Sequence, residues 1–233
     1  MKKILITGTS KGIGKVIFEH FKNLGYEVFG AGRSEVCDKN YFQIDLNKEN
    51  APEELYQKAL DAMGGVDILI NNAGTYVTCK TENMQSEDIS SMINLNFTVP
   101  YKLITKAIPY MKERNWGRII NIGSISGSVG EGYASLYSGT KAGLIGLTKS
   151  LGLELAEYGI TVNTINPGWV ETELAENACR EGEFSKEENL QIIPQKRFIE
   201  PIEIAKLCEY LVSDDAKGLT GQSINLCAGL SIG

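Results

Sequence analysis

The chain of 233 residues, 42% hydrophobic and 22% charged, is long enough for one sizeable domain with a true core. A net charge of −6 offers no footprint for nucleic acid, and no apolar run approaches the roughly 18 residues that span a bilayer. Cys37, Cys79, Cys179, Cys208 and Cys227 are scattered and odd in number, the pattern of free thiols in a reducing cytoplasm, and the apolar run after the first two lysines is too short for a secretory signal.

The first apolar run, "KILIT" at 3–7, is an expected strand. An amphipathic helix is expected at 13–25, with the single histidine, His20, on its face rather than serving a metal or a hydrolase triad. Further apolar runs predict strands at 26–31, 41–44, 66–71, 118–123, 160–165 and 223–227. Helices are expected between them at 51–63, 86–115, 136–159 and 201–213. This alternation implies an α/β fold built of βαβ units, a mostly parallel seven-stranded sheet with helices on both faces. Near-continuous apolar strands fit a sheet buried on both sides. Between "AGR" and "YFQI" only residues 34–40 remain, too few for a crossover helix, so the second crossover is expected to be a loop. No linker or repeat interrupts the pattern, and residues 1–233 are expected to form one domain. Its least regular part, about 171–200, is polar and acidic and follows "NPGWVET" directly. It is expected to act as a substrate lid.

Gly8, Gly12 and Gly14 follow the first strand directly, at the point where a helix begins. Glycines there let the backbone turn and approach a pyrophosphate, while the helix offers free N–H groups and its positive end. The whole loop, Gly8, Thr9, Ser10, Lys11, Gly12, Ile13 and Gly14, is therefore the expected phosphate cradle. The second strand ends at Arg33, where many NAD-binding domains carry an acid, and Lys11 lies inside the glycine loop. Two cations near the ribose favour a 2′-phosphate, so NADP(H) is the expected cofactor, with NAD(H) possible.

"LYSGTK" sets Tyr137 and Lys141 four residues apart, on one face of an expected helix. A nearby ammonium favours phenolate, which suits a tyrosine that moves protons. Ser124 ends the strand "RIINIGS", at the carboxyl edge where such sheets bind ligands, and its hydroxyl can hold a carbonyl oxygen.

"TGTSKGIG" at 7–14, "DL" at 45–46, "NNAG" at 71–74, "NL" at 94–95, Ser124, "YSGTK" at 137–141, "NPGWVET" at 166–172 and "GQSINL" at 221–226 together resemble the short-chain dehydrogenase/reductase family along essentially the whole chain. Within it the look is closest to the 3-oxoacyl-(acyl-carrier-protein) reductase-like members. The resemblance implies a Rossmann-type, doubly wound fold and NAD(P)-dependent interconversion of ketones and secondary alcohols. It implies a catalytic group of Asn94, Ser124, Tyr137 and Lys141. It also implies cofactor contacts from the glycine loop, Arg33, Asp45, Leu46, Asn72, Ala73, Gly74, Tyr137, Lys141, Pro167, Gly168, Val170 and Thr172.

The substrate is expected to be a small carbonyl or alcohol. A carrier-protein acyl thioester is the alternative, and a non-catalytic NADP-binding protein the remaining one. No metal, nucleic-acid or membrane partner is expected. The helix beginning near Leu136 is apolar around much of its circumference, so one face is left for a neighbour after the sheet is covered. A homotetramer, or a dimer in its place, is expected through that helix and the last strand.

Overall fold

The computed structural model describes residues 1–181 and 185–231. Seven strands form one sheet: β1 (Lys3–Thr7), β2 (Glu27–Gly32), β3 (Tyr41–Gln43), β4 (Ile68–Asn71), β5 (Gly117–Ile122), β6 (Ile160–Pro167) and β7 (Ser223–Leu226). Their order is β3-β2-β1-β4-β5-β6-β7, and every pairing is parallel, so the sheet is wholly rather than mostly parallel. The helices are α1 (Gly12–Asn23), α2 (Ala51–Met63), α3 (Ser86–Ile93), α4 (Val99–Glu113), α5 (Ser126–Val129), α6 (Ser135–Leu155), α7 (Glu173–Glu181), α8 (Lys186–Ile192) and α9 (Pro201–Val212).

Alternate residues of each strand feed opposite layers. Leu5, Leu69 and Ile119 pack into one core with Leu55, Leu103 and Leu151 from α2, α4 and α6. Their neighbours Ile4, Ile6, Ile68, Ile70 and Ile120 pack into the other, against Ile17 and Phe21 of α1 and Ile204 and Leu211 of α9. This is why the strands read as unbroken apolar runs. Local signals place the helices. α2 has Pro52 in its first turn, with Glu53 and Glu54 favoured there by the helix dipole. It stops at Gly64, whose left-handed φ of +71° lets its N–H return to the Leu60 carbonyl.

Two departures from the expected pattern matter. The expected loop between β2 and β3 is present. The expected single helix over 86–115 is not uniform: Asn94–Thr98 is a π-helical turn between α3 and α4. A π turn adds a residue and rotates everything beyond it around the axis. The segment at 171–200 contains α7 and α8, and residues 182–184 lie outside the described part. Strand order reverses between β1 and β4, so the crevice for ligands opens where β1, β4 and β5 end.

Candidate active site

The loop after β1 is a preformed cradle. Gly8 has φ +74°, and its N–H and that of Thr9 both donate to the Ala31 carbonyl, at 2.7 and 2.9 Å. A Cβ on Gly14 would stand 2.1 Å from the Gly8 oxygen, so only glycine fits. No side chain caps the N-terminus of α1 at Lys11. The N–H groups of its first turn therefore point to the loop's concave side, a donor set matched to a pyrophosphate. That chemistry fits the dinucleotide inferred from sequence.

Asn72 holds the cradle rather than reaching outward. Its Nδ2 donates to the Thr7 and Gly8 carbonyls at 2.9 and 3.1 Å. Thr7 Oγ1 accepts from the N–H groups of Asn72 and Ala73. Arg33 is exposed at the end of β2, where its carbonyl accepts from Gln43 Nε2. Asp45 is half-buried and accepts from the Asn47 N–H at 3.0 Å, while Leu46 is buried in the core below.

Lys11 departs from expectation. Its Nζ lies 2.9 Å from Glu173 Oε2 at the start of α7, an exposed pair. The acidic start of α7 lies across the loop and takes up the charge. Pro167 ends β6, the Gly168 N–H donates to the Leu226 carbonyl, and Val170 bridges to Ile199. Thr172 accepts from the Ala175 N–H, closing the first turn of α7, and its methyl lies beside Gly12.

The structure brings Ser124, Tyr137 and Lys141 together at the end of β5. Ser124 is 9% exposed. Tyr137 sits in the first turns of α6, with its ring edge-on to Tyr76 at 4.9 Å between centroids. Lys141 Nζ donates to the Ile122 carbonyl at 2.8 Å and stands 5.6 Å from the centre of the Tyr137 ring.

The electrostatics correct one expectation. Lys141 was expected to lower the Tyr137 pKa, but burial outweighs every other influence and pushes Tyr137 up to about 12, with the Ser124 hydroxyl pulling it partly back. Lys141 is itself lowered from 10.5 to about 8 by burial. Among the influences on Tyr137, burial is the largest and favours the neutral phenol.

Asn94 is the second correction. Its Nδ2 donates to Asn47 Oδ1 at 3.1 Å, away from Lys141. Asn96, 1% exposed, occupies the expected place. Its Oδ1 accepts from the Thr75 N–H at 2.8 Å, and its Nδ2 donates to the Thr75 carbonyl and Thr140 Oγ1. A Cβ on Gly74 would lie 3.2 Å from Asn96 Oδ1 and 3.6 Å from Lys141 Nζ, which puts the three side by side. Both asparagines sit in the π turn, and its extra residue decides which one faces inward. Sequence reasoning also missed Tyr76, Ser126 and Glu131. Glu131 Oε1 accepts from Tyr76 at 2.5 Å, and its Oε2 from Ser126 at 2.6 Å. Only the serine spacing in "SIS" hinted at a polar chain beside Ser124.

Comparison with known proteins identifies the family. The family model described as short chain dehydrogenase matches residues 2–182. The 3-oxoacyl-(acyl-carrier-protein) reductase FabG of Vibrio cholerae is 36% identical, over 98% of this chain and 97% of its own. The D-beta-hydroxybutyrate dehydrogenase of Rhizobium meliloti is 34% identical over 98% of both chains. The crystal structure of the TT0495 protein from Thermus thermophilus superposes with a TM-score of 0.90 at 33% identity, covering 98% of each chain. Matched along most of its length by that family model and along nearly all of it by these relatives, the chain belongs to the short-chain dehydrogenase/reductase family and is an enzyme acting on CH–OH and keto groups.

Proposed function

We propose that the protein is an NADP(H)-dependent oxidoreductase that interconverts a ketone and a secondary alcohol, with Ser124, Tyr137 and Lys141 as its reacting group. The observation that carries this reading is the convergence of those three side chains at the end of β5, beside a glycine loop whose helix N-terminus is uncapped. When bound, the dihydronicotinamide supplies the hydride. Tyr137, kept protonated by its burial, gives its phenol proton to the oxygen of the ketone being reduced. The Ser124 hydroxyl holds that oxygen in place. Lys141 returns a proton toward Tyr137, and Asn96 fixes the Thr75 backbone and Thr140 beside it. Asn96 thus takes the role first expected of Asn94. Arg33 at the exposed end of β2 supports the choice of NADP(H) over NAD(H), through paired hydrogen bonds to a 2′-phosphate.

The substrate on this reading is a small carbonyl compound or its alcohol. The names of several relatives favour a second reading, reduction of a 3-oxoacyl thioester on an acidic carrier protein. Arg114, a half-exposed cation in the turn before β5 that could meet such a carrier, pairs with buried Asp67 at 3.3 Å. We further propose a cytoplasmic homotetramer. Exposed Tyr101 on α4 and Leu153 on α6, and a groove of about 530 Å³ between Ile89, Ile93, Phe97 and Leu136, offer apolar surface for it. Among the described residues no helix is long and apolar enough to cross a membrane.

The test is turnover of a ketone panel, including an acetoacetyl thioester, followed by NADPH absorbance in wild type and Tyr137→Phe. Loss of general acid catalysis predicts a fall in kcat of about a hundredfold or more with NADPH binding retained. Wild-type turnover in the variant would remove Tyr137 from the reaction.

A further inference from the structure

One carboxylate stands beside the reacting group without a task in the proposed reaction. Glu131 lies in the short loop between α5 and α6. It receives two hydroxyl donors, Tyr76 at 2.5 Å and Ser126 at 2.6 Å. With Ser126 donating to Glu131, the Ser126 oxygen is left to accept from Ser124 at 3.0 Å while no ketone oxygen competes for that proton. Ser124 also accepts from the Ser126 N–H at 3.1 Å. Glu131 is therefore two hydrogen bonds from the hydroxyl that faces substrate and sets the direction of the chain between them. Tyr76, its other donor, packs edge-on against Tyr137.

The loop is built to hold this carboxylate there. Gly130 takes a left-handed φ of +77°, and Tyr133 does so at +60°, a costly conformation for a bulky side chain. The Tyr133 carbonyl accepts from the Cys79 N–H at 2.9 Å, which sews the loop to the segment carrying Tyr76. Among the described residues, no lysine, arginine or histidine forms an ion pair with Glu131. Its carboxylate is met by the hydroxyl dipoles of Tyr76 and Ser126, two hydrogen bonds from Ser124.

We infer that Glu131 is a specificity-determining residue of this site: its carboxylate excludes ketones that carry a free carboxylate one carbon from the reacting carbonyl and admits neutral ones or those offering a hydrogen-bond donor. The inference rests on the reaction proposed above. A second carboxylate brought within a few hydrogen-bond lengths of this part-buried one is disfavoured by like-charge repulsion. A neutral ester or amide at the same place brings no such repulsion, and an amide N–H or hydroxyl gains an acceptor. By fixing Ser126 as the resting acceptor of Ser124, Glu131 also acts as a positioning residue, holding the hydroxyl until its proton turns to the ketone oxygen.

The experiment compares ethyl acetoacetate with acetoacetate as substrates of the NADPH-loaded enzyme, in wild type, Glu131→Gln and Tyr76→Phe. In wild type, kcat/KM favours the ester by at least about tenfold, carried mainly in KM. Glu131→Gln keeps the side chain's size and brings the ratio to within about threefold of unity, while Tyr76→Phe keeps the charge and the preference. A purely structural role would lower both substrates together and leave the ratio unmoved. Calorimetry with butyramide and butyrate reads the same charge without turnover: wild type binds butyramide more tightly, and Glu131→Gln removes the difference. Butyrate bound as tightly as butyramide in wild type, or no butyramide binding, overturns the inference. A wild type that reduces neither ketone overturns the proposed reaction, and calorimetry still decides the role of Glu131.

Discussion

Replacing Lys141 by methionine tests the electrostatics of the site through stability alone. Lys141 is 5% exposed, and burial lowers its pKa from 10.5 to about 8. Below pH 8 it is charged in both folded and unfolded chains, and the folded state bears the whole cost of the buried charge. That cost is roughly 3 kcal/mol, from about 1.4 kcal/mol per tenfold change in proton affinity. Between pH 8 and 10.5 the unfolded lysine still holds its proton while the folded one has released it. The unfolded state then binds more protons, so stability rises with pH through that window. Moving from pH 7 to pH 9.5 crosses most of it and restores about 2 kcal/mol to the wild type. Lys141→Met has no such group, and comparing the two chains cancels every titration they share. Tyr137, raised to about 12, begins to act in the opposite sense only above pH 10, where the unfolded tyrosine loses its proton first. Urea unfolding of both proteins at pH 7 and pH 9.5 should show the wild type gaining about 2 kcal/mol relative to the variant. A difference that does not move with pH would mean that Lys141 is solvated in the folded protein and that its burial does not govern its charge.

Asn96→Ala should lower kcat at least about tenfold while Asn94→Ala stays within about twofold of wild type, because only Asn96 braces Thr75 and Thr140; steady-state kinetics with a single ketone decide it. Gly14→Ala should abolish NADPH binding and cost about 1–3 kcal/mol in urea unfolding, since the added methyl meets the Gly8 carbonyl oxygen at 2.1 Å, an overpacking the backbone cannot relieve. Arg33→Asp should reverse a wild-type preference for NADPH over NADH of about tenfold in kcat/KM, one charge-assisted contact being worth that much; a wild type that prefers NADH would make Arg33 a surface cation only. Hydrogen exchange across the segment 171–200 should slow on adding NADP and a ketone, and equal exchange with and without them would rule out a lid there.

The sheet was legible because its residues face two cores at once. Ile4, Leu5 and Ile6 must all be apolar when alternate members are buried on opposite sides. The missing second crossover helix was legible from chain length alone. Ser124, Tyr137 and Lys141 could be placed together because a strand end and an i, i+4 pair are both local geometry. The rest depended on events that no local period records. The "NL" resemblance pointed to Asn94, but the π turn at Asn94–Thr98 shifts the helical phase by a residue and the fold turns Asn96 inward. Lys11 and Glu173 meet across 162 positions of chain, and the charge left to greet a phosphate changes with that meeting. Glu131 sits between glycines in a loop, where its partners Tyr76 and Ser126 come from separate segments. The Tyr137 pKa was read from its nearest cation, but depth of burial controls it and cannot be read from spacing.

The central claim is hydride transfer to a ketone carbon with Tyr137 as the proton donor. Its most direct test is incubation of wild type and Tyr137→Phe with NADPH deuterated at both C4 positions and ethyl acetoacetate, followed by mass spectrometry of the alcohol. The account predicts deuterium at the carbinol carbon of the wild-type product and almost no labelled alcohol from the variant. NADPH oxidised without deuterium in the alcohol, or label delivered equally by Tyr137→Phe, would contradict it.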